Sequence, residues 1–89
     1  MKNVTKADII DFLKHEVSKE CEMPVAEVDP RVPFVDFRMD SLKAVYIMDS
    51  LEKYIGEELS PLYFWDYPTI DSLSGFICQE ILKHPDGSR

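Results

Sequence analysis

Cysteine, histidine and long apolar stretches are scarce in this chain of 89 residues, and each shortage excludes a class of protein. The two cysteines, Cys21 and Cys78, form no CxxC pair, which indicates free thiols in a reducing compartment rather than a disulfide framework. Neither His15 nor His84 has a second ligand at metal-binding spacing, so we expect no metal site. No signal peptide and no apolar run of membrane-spanning length is present, which predicts a cytoplasmic protein.

Basic residues are also in short supply. Ten Lys and Arg stand against seventeen Asp and Glu, and the formal net charge of -7 disfavours binding to nucleic acid or to an anionic membrane surface. Positions 36 to 71 contain eight acids and three bases, a balance of -5. We therefore expect an acidic face around the second predicted helix, suited to partner proteins with basic surfaces.

The hydrophobic pattern predicts an all-α fold, because no period-two strand pattern persists for more than four residues. Helices are predicted over Lys6–Glu22, Ser41–Ile55 and Ile70–Lys83, with a short third helix or single turn within Glu57–Trp65. The expected architecture is a four-helix bundle of three main helices and one short helix. Residues 1–89 are expected to form a single domain of this kind.

A long loop is predicted between the first and second helices, where three prolines interrupt residues 23–39. Loops of this length in small domains are usually functional or tied down. Five apolar side chains are expected to pin the loop onto the core: Val25, Val28, Val32, Phe34 and Phe37. The one tryptophan, Trp65, is also expected in the core.

The tripeptide Asp40-Ser41-Leu42 places one hydroxyl at the start of the second helix, with Asp40 as the N-cap. The first turn of a helix offers unpaired N–H groups and the positive end of its dipole, which together favour a phosphate. We therefore interpret Ser41 as an attachment point. Hydrolysis by this serine would need an oriented base, and neither histidine lies in a suitable motif, so no catalytic residue is predicted.

The second helix is more apolar than burial alone requires. Ala44, Ile47, Met48, Leu51 and Ile55 form one buried stripe at helical spacing. Leu42, Val45 and Tyr46 lie outside this stripe, on the flank nearest Ser41. A domain this small has little protein to cover them, so we expect an exposed partner-docking patch, which Asp49 and Arg38 extend.

These features resemble the acyl carrier proteins, and within them the polyketide-synthase-type carriers. The resemblance covers nearly the whole chain and rests on Asp40-Ser41-Leu42 together with Trp65-Asp66-Tyr67-Pro68-Thr69-Ile70, in which Tyr67 follows Asp40 by 27 residues. It implies a 4'-phosphopantetheine on Ser41, within a motif completed by Asp40 and Leu42. The thiol end of this arm would hold acyl groups as thioesters, and the chain itself would catalyse nothing.

The resemblance also implies the partners. A phosphopantetheinyl transferase would install the arm on a monomeric carrier, and ketosynthase, acyltransferase or acyl ligase enzymes would then use it.

The chain departs from the family pattern at two positions. Arg38 occupies a position where the family commonly has glycine, so it either strains a backbone of positive φ, at about 1 kcal/mol, or reaches the phosphodiester or a partner's acidic group. Lys43 replaces an acid of many fatty-acid carriers and suggests a different partner set.

Other functions remain open from the sequence. A peptidyl or D-alanyl carrier would share the serine and the fold. A helical interaction module would use the apolar flank of the second helix and never carry a cofactor. Met1, the early first helix and the short tail suggest a discrete carrier that shuttles between separate enzymes, but a domain excised from a larger synthase would look similar. The residues do not specify the acyl cargo.

Overall fold

Helices make up the regular structure of the computed structural model, which describes residues 4–83. The four α-helices are α1 (Lys6–Cys21), α2 (Ser41–Ile55), α3 (Tyr63–Asp66) and α4 (Ile70–Phe76), and a π-helical stretch, Ile77–Ile81, continues α4. Within the described range an isolated bridge between positions 33 and 69 is the only β pairing. The all-α prediction is therefore confirmed. The predictions for His84 and the terminal tail lie outside the described residues.

Side-chain caps fix the helix boundaries close to their predicted positions. Thr5 and Asp8 form a capping box at the start of α1, with N–H to oxygen distances of 3.0 and 3.1 Å. This helix ends one residue before the predicted end, because Glu22 adopts a left-handed conformation with φ of 55°. Gly56, with φ of 75°, ends α2 as predicted.

The core lies between α1, α2 and α4. Their buried side chains are Ile9, Leu13 and Val17, then Ala44, Ile47, Met48 and Leu51, then Ile70, Leu73 and Ile77. The ring of Phe12 in the middle of α1 stacks on that of Tyr54 near the end of α2, with centroids 4.4 Å apart. Cys21 at the end of α1 lies close enough to Lys43 and Asp40 at the start of α2 for their charges to act on its thiol. The two helices therefore run antiparallel, and the end of α1 lies near the start of α2.

The long loop between α1 and α2 is held against the rest of the domain, as predicted. It contains two short 3-10 helices, Val25–Glu27 and Phe34–Phe37. Val28, Phe34 and Phe37 are buried in the core, while Val32 packs against it half-buried. The prediction is wrong for Val25, which is half-buried in the first 3-10 helix but is not among the residues packed on the core. The Phe34 N–H donates to the carbonyl of Pro68 at 2.7 Å, and the Asp71 N–H donates to that of Pro30 at 2.9 Å. The loop is thereby joined to the segment that begins α4.

Two expectations about the C-terminal half are wrong in detail. Trp65 is 43% exposed rather than part of the core. Since α3 is a single turn, adjacent residues face different ways, and Phe64 occupies the core position. The α-helical geometry of α4 ends at Phe76, and the following residues form i to i+5 bonds such as Leu82 N–H to the Ile77 carbonyl at 2.8 Å.

The cysteines are free, as predicted: Cys21 is half-buried and Cys78 is buried. Among the described helices, none combines the length and the apolar character needed to cross a bilayer.

Candidate functional site

Ser41 is the first residue of α2, and its side chain is exposed. Asp40 caps the helix, since its carboxylate accepts a hydrogen bond from the Lys43 N–H at 2.9 Å. The first intrahelical bond runs from the Ala44 N–H to the Asp40 carbonyl at 3.0 Å. The backbone N–H groups of Ser41 and Leu42 precede this bond and are available to an anion at the helix start.

Arg38 turns the chain into α2 through a left-handed backbone conformation, with φ of 60° and ψ of 41°. A residue other than glycine is strained in this conformation, so the positive φ considered for Arg38 from the sequence is observed. Contact of the Arg38 side chain with the phosphodiester or with a partner's acidic group stays a prediction. The Arg38 carbonyl accepts a hydrogen bond from the Lys43 Nζ at 3.3 Å. The Lys43 side chain therefore folds back toward the loop, and the two cations flank Ser41 along the chain.

These residues fit a phosphate ester on Ser41. The hydroxyl is exposed, the adjacent backbone N–H groups stand at the positive end of the α2 dipole, and two cationic side chains lie within three positions. Each of these features lowers the electrostatic cost of a negative charge at this point. No other helix start among residues 4–83 combines an exposed serine with neighbouring cations.

The nearby Cys21 thiol is kept in its protonated form. Burial raises the pKa of Cys21, the charge of Lys43 opposes this shift, and Glu20 and Asp40 reinforce it. Because the thiolate is the nucleophilic form of cysteine, Cys21 is a poor competitor for thioester chemistry at neutral pH.

The outward face of α2 carries the apolar residues predicted from the sequence. Leu42, Val45 and Tyr46, which we call the α2 patch, are between 49% and 65% exposed. Asp49 lies about one turn farther along and is exposed, but its carboxylate forms an ion pair with Lys53 at 3.1 Å. The structure thus brings Ser41 and the α2 patch onto one accessible side of α2.

The excess of acid surrounds and follows α2, as the sequence predicts, and does not lie on the helix itself. This helix has two bases, Lys43 and Lys53, and two acids, Asp49 and Glu52, so its formal charge is zero. The Glu52 carboxylate also accepts a hydrogen bond from the Leu59 N–H at 2.7 Å. The excess of acid lies in the segments before and after α2, where the five exposed acids are Asp36, Asp40, Glu57, Glu58 and Asp66.

A second group of exposed apolar residues was not predicted. Val35, Leu62 and Trp65, which we call the loop–α3 surface, are between 43% and 66% exposed. Val35 directly follows buried Phe34, and Trp65 directly follows buried Phe64. That order could have indicated exposure, because neighbours of a buried residue in a single helical turn point elsewhere.

Residues 4–83 contain no cluster of three or more His, Cys, Asp or Glu side chains arranged to hold a metal ion. His15 is exposed, and its ring Nδ1 lies 2.8 Å from the carbonyl oxygen of Asp11 in the same helix.

Comparison with known proteins defines the class. Residues 11–77 match the family described as Phosphopantetheine attachment site, and the chain belongs to this family. Members carry a 4'-phosphopantetheine prosthetic group, which confirms the cofactor implied by the resemblance. The chain is a carrier domain of the polyketide-synthase type and has no catalytic activity of its own.

The chain is similar to short parts of large synthases. It is 27% identical over 79 residues to a phenolphthiocerol/phthiocerol polyketide synthase chain of Mycobacterium tuberculosis, covering 89% of this chain and 4% of that protein. It is 31% identical over 71 residues to the 6-methylsalicylic acid synthase of Penicillium terrestre, covering 80% of this chain and 4% of that enzyme. The chain therefore spans only a small part of the curated relatives it matches.

Two solved structures have the same fold. A free-standing peptidyl carrier protein from Acinetobacter baumannii superposes with a TM-score of 0.82 at 32% identity, covering 89% of this chain and 99% of that one. The HMG-ACPI domain of the CurA module from Lyngbya majuscula gives 0.78 at 26% identity, covering 89% and 80%. The helical-bundle prediction is confirmed by both.

Proposed function

We propose that Ser41 bears the 4'-phosphopantetheine arm and that the chain presents acyl intermediates to polyketide or related fatty acyl biosynthetic enzymes. The observation that carries this proposal is the exposed Ser41 hydroxyl at the capped start of α2, beside free N–H groups and between Arg38 and Lys43. The proposal includes a single carrier domain over residues 1–89, a monomeric state and a cytoplasmic location.

The residues around Ser41 have distinct roles in this proposal. Asp40 fixes the first turn of α2, which orients the serine, and Leu42 presents an apolar side chain beside it. Arg38 and Lys43 offset the charge of the phosphodiester. When bound, the arm supplies a terminal thiol that holds an acyl group as a thioester. A tether of this kind raises the effective concentration of the acyl group at each enzyme it meets.

The α2 patch, with Asp49 and Arg38 at its edges, is proposed to contact the ketosynthase, acyltransferase or acyl ligase enzymes. A carrier has to leave each enzyme after every step, which favours a small interface over a large one. Three exposed apolar side chains on a helix of zero formal charge suit such brief contacts. Docking through the α2 patch should consequently depend little on salt.

Modification by a transferase tests the attachment. The chain is co-expressed with a promiscuous phosphopantetheinyl transferase, and its intact mass is measured. We expect the wild-type chain to gain one phosphopantetheine and Ser41→Ala to gain none. Ser50→Ala, which removes a half-buried hydroxyl from the same helix, is the matched control and should still be modified. An unmodified wild-type chain would instead support the helical interaction module.

A peptidyl carrier is the second candidate, because the free-standing peptidyl carrier protein has the same fold over 89% of this chain. Enzymatic loading of the holo-protein distinguishes an acyl carrier from a peptidyl carrier. The holo-protein is incubated with a malonyl-coenzyme A acyltransferase and, separately, with an amino-acid adenylation enzyme. An acyl carrier is expected to become malonylated, whereas loading by the adenylation enzyme alone would favour the peptidyl alternative.

A further inference from the structure

A groove between α1 and α4, which we call the α1–α4 groove, is separate from the site at Ser41. Its walls are Lys6 of α1, Tyr67 before α4, and the side of α4 and its π-helical continuation that runs from Asp71 to Glu80. The volume of about 660 Å³ is within the range of about 300–1,000 Å³ that is typical of ligand sites. None of the described residues that line it belongs to α2, so an occupant of the groove does not cover the α2 patch.

The Lys6 wall of the α1–α4 groove is also distant from the start of α2. Lys6 and Cys21 are the first and last of the 16 residues of α1, and a helical rise of about 1.5 Å per residue separates their Cα atoms by about 22 Å. Cys21 is the residue whose thiol is influenced by the charges of Asp40 and Lys43. Lys6 therefore stands at the end of α1 that is far from Ser41.

Stacked aromatic rings supply the apolar part of the α1–α4 groove. The Tyr67 ring stacks on the Phe76 ring with centroids 4.3 Å apart, and the Tyr63 ring packs edge-on against Phe76 at 4.7 Å. Tyr67 and Phe76 are half-buried, so the stack is supported by the domain and still partly open to solvent. Open aromatic faces attract cationic groups, and the planar guanidinium of arginine stacks on them especially well.

Gly75 keeps the middle of the α1–α4 groove open. A Cβ atom at this residue would meet only Cε and Nζ of Lys6, each at 3.8 Å, so alanine would fit without a clash. Glycine in a helix is less stable than alanine, and the packing of this domain does not require it here. The missing side chain does leave room for an occupant of the groove.

The charges of the α1–α4 groove favour one additional cation. The Lys6 side chain reaches along the groove past Gly75 and forms an ion pair with Asp71 at 3.2 Å. Glu80 is exposed and forms no ion pair with any residue between positions 4 and 83. One carboxylate of the groove thus already holds a basic side chain, while the other is uncompensated.

We propose that the α1–α4 groove binds an arginine side chain on a segment of a partner protein. The guanidinium pairs with Glu80 and lies against the ring of Phe76, which is one helical turn away, and the aliphatic stem crosses Gly75. Arginine fits better than lysine because its planar fork can pair with a carboxylate through two hydrogen bonds and stack on a ring at the same time.

Such a contact would hold the carrier beside its partner without covering Ser41 or the α2 patch. A second point of attachment raises the effective concentration of one protein near the other, even when each contact is weak. The α1–α4 groove would therefore retain the carrier while the start of α2 remains accessible.

An NMR titration of the ¹⁵N-labelled apo-protein tests this proposal. The probe is an alanine pentapeptide with blocked ends and one arginine at its centre, and its control has citrulline there, which has a similar shape without the charge. We expect the arginine peptide to shift the backbone amide signals of Gly75, Phe76 and Glu80 at millimolar concentrations. It should bind at least about fivefold more tightly than the citrulline peptide, and Glu80→Gln should weaken its binding about fivefold.

Two further variants make the test specific to the α1–α4 groove. Glu57→Gln removes the same charge from an exposed position after α2 and should leave binding within about twofold of wild type. Gly75→Leu fills the groove and should abolish binding. Glu80→Gln preserves the size of an exposed side chain, so it decides the question even if Gly75→Leu does not fold. Absence of shifts, equal binding of the two peptides, equal losses in Glu57→Gln and Glu80→Gln, or unchanged binding to folded Gly75→Leu would each overturn the proposal.

The outcome is separable from that of the proposed function, because the titration uses the apo-protein. Glu80→Gln is expected to gain one phosphopantetheine in the intact-mass experiment, as the wild-type chain does. Failure of the arginine peptide to bind a chain that is modified normally would count against the α1–α4 groove alone. An unmodified wild-type chain would count against the proposed function.

Discussion

Arg38 combines a strained backbone with a charge next to the proposed attachment point. Its φ of 60° lies where glycine is favoured, so we expect Arg38→Gly to raise the free energy of unfolding by about 1 kcal/mol. For a domain of this size that corresponds to roughly 4–8 °C in Tm. Arg38→Ala retains the strain without the charge and is the control: if both variants are modified more slowly than wild type, the charge assists attachment. A lower Tm for Arg38→Gly would contradict the strain.

Ser74 is a polar residue at a buried position of α4. It is fully buried in α4, and its hydroxyl has no hydrogen-bond partner among the described residues. We expect Ser74→Ala to raise the free energy of unfolding by about 1 kcal/mol, because the desolvation cost of the hydroxyl is removed. Ser72→Ala should lower it, since the Ser72 hydroxyl accepts from the Thr69 N–H in the capping box of α4. Denaturant unfolding measures both, and a less stable Ser74→Ala would show that this hydroxyl is satisfied.

At the scale of the element, the start of α2 depends on the Asp40 cap. Asp40→Ala removes the acceptor of the Lys43 N–H and is expected to cost about 1 kcal/mol of stability. Asp40→Asn retains a side-chain oxygen in the same place and should cost little. Urea unfolding of the two variants checks this, and equal losses in both would mean that the charge, rather than the cap, stabilises the helix.

Much of the element structure could be predicted because local chemistry determines it. Capping residues begin or end three of the helices: Thr5, Asp40 and Thr69 at N-termini, and Gly56 at a C-terminus. The bounds of α2 match the prediction at both ends. The orientation of α3 could not be predicted in this way. Which of two adjacent aromatics enters the core depends on Phe34 arriving from a distant loop, and that contact favoured Phe64 over Trp65.

At the scale of the whole molecule, the Phe34–Phe64 stack joins the long loop to the C-terminal half. Both rings are buried, so Phe34→Ala is expected to cost about 3–5 kcal/mol. Since small domains have only about 5–15 kcal/mol in total, the variant should be partly unfolded at physiological temperature. Phe34→Leu, which retains most of the apolar volume, should cost much less. Thermal unfolding of both variants tests this, and a small effect of Phe34→Ala would mean that the loop is held mainly by its backbone hydrogen bonds.

At the scale of the whole molecule, the amino-acid composition predicts the net charge but not where free acidic side chains lie on the surface. The net charge of -7 follows from the sequence, as does the excess of acid between positions 36 and 71. Which of these acids remain free depends on three-dimensional neighbours. Asp71 pairs with Lys6 of α1 at 3.2 Å, and Asp49 pairs with Lys53. Asp36 and Asp66 remain available beside apolar residues, and the sequence alone did not associate them.

The site itself was predicted more fully than the surfaces around it. An Asp-Ser-Leu triplet at a helix start supplies its own cap, and the structure places the Asp40 cap and the first residue of α2 as expected. Attachment at Ser41 stays a prediction. The left-handed conformation of Arg38 and the hydrogen bond from the Lys43 Nζ to the Arg38 carbonyl are evident only from the structure.

Location of the modification on the chain tests the central claim most directly. The transferase-treated protein is digested, and the peptide that carries the added mass is sequenced by tandem mass spectrometry. The proposed function predicts a single phosphopantetheine on the Ser41 side chain and none on other serines. Modification of another residue, or none under conditions that modify an established carrier in the same reaction, would contradict it.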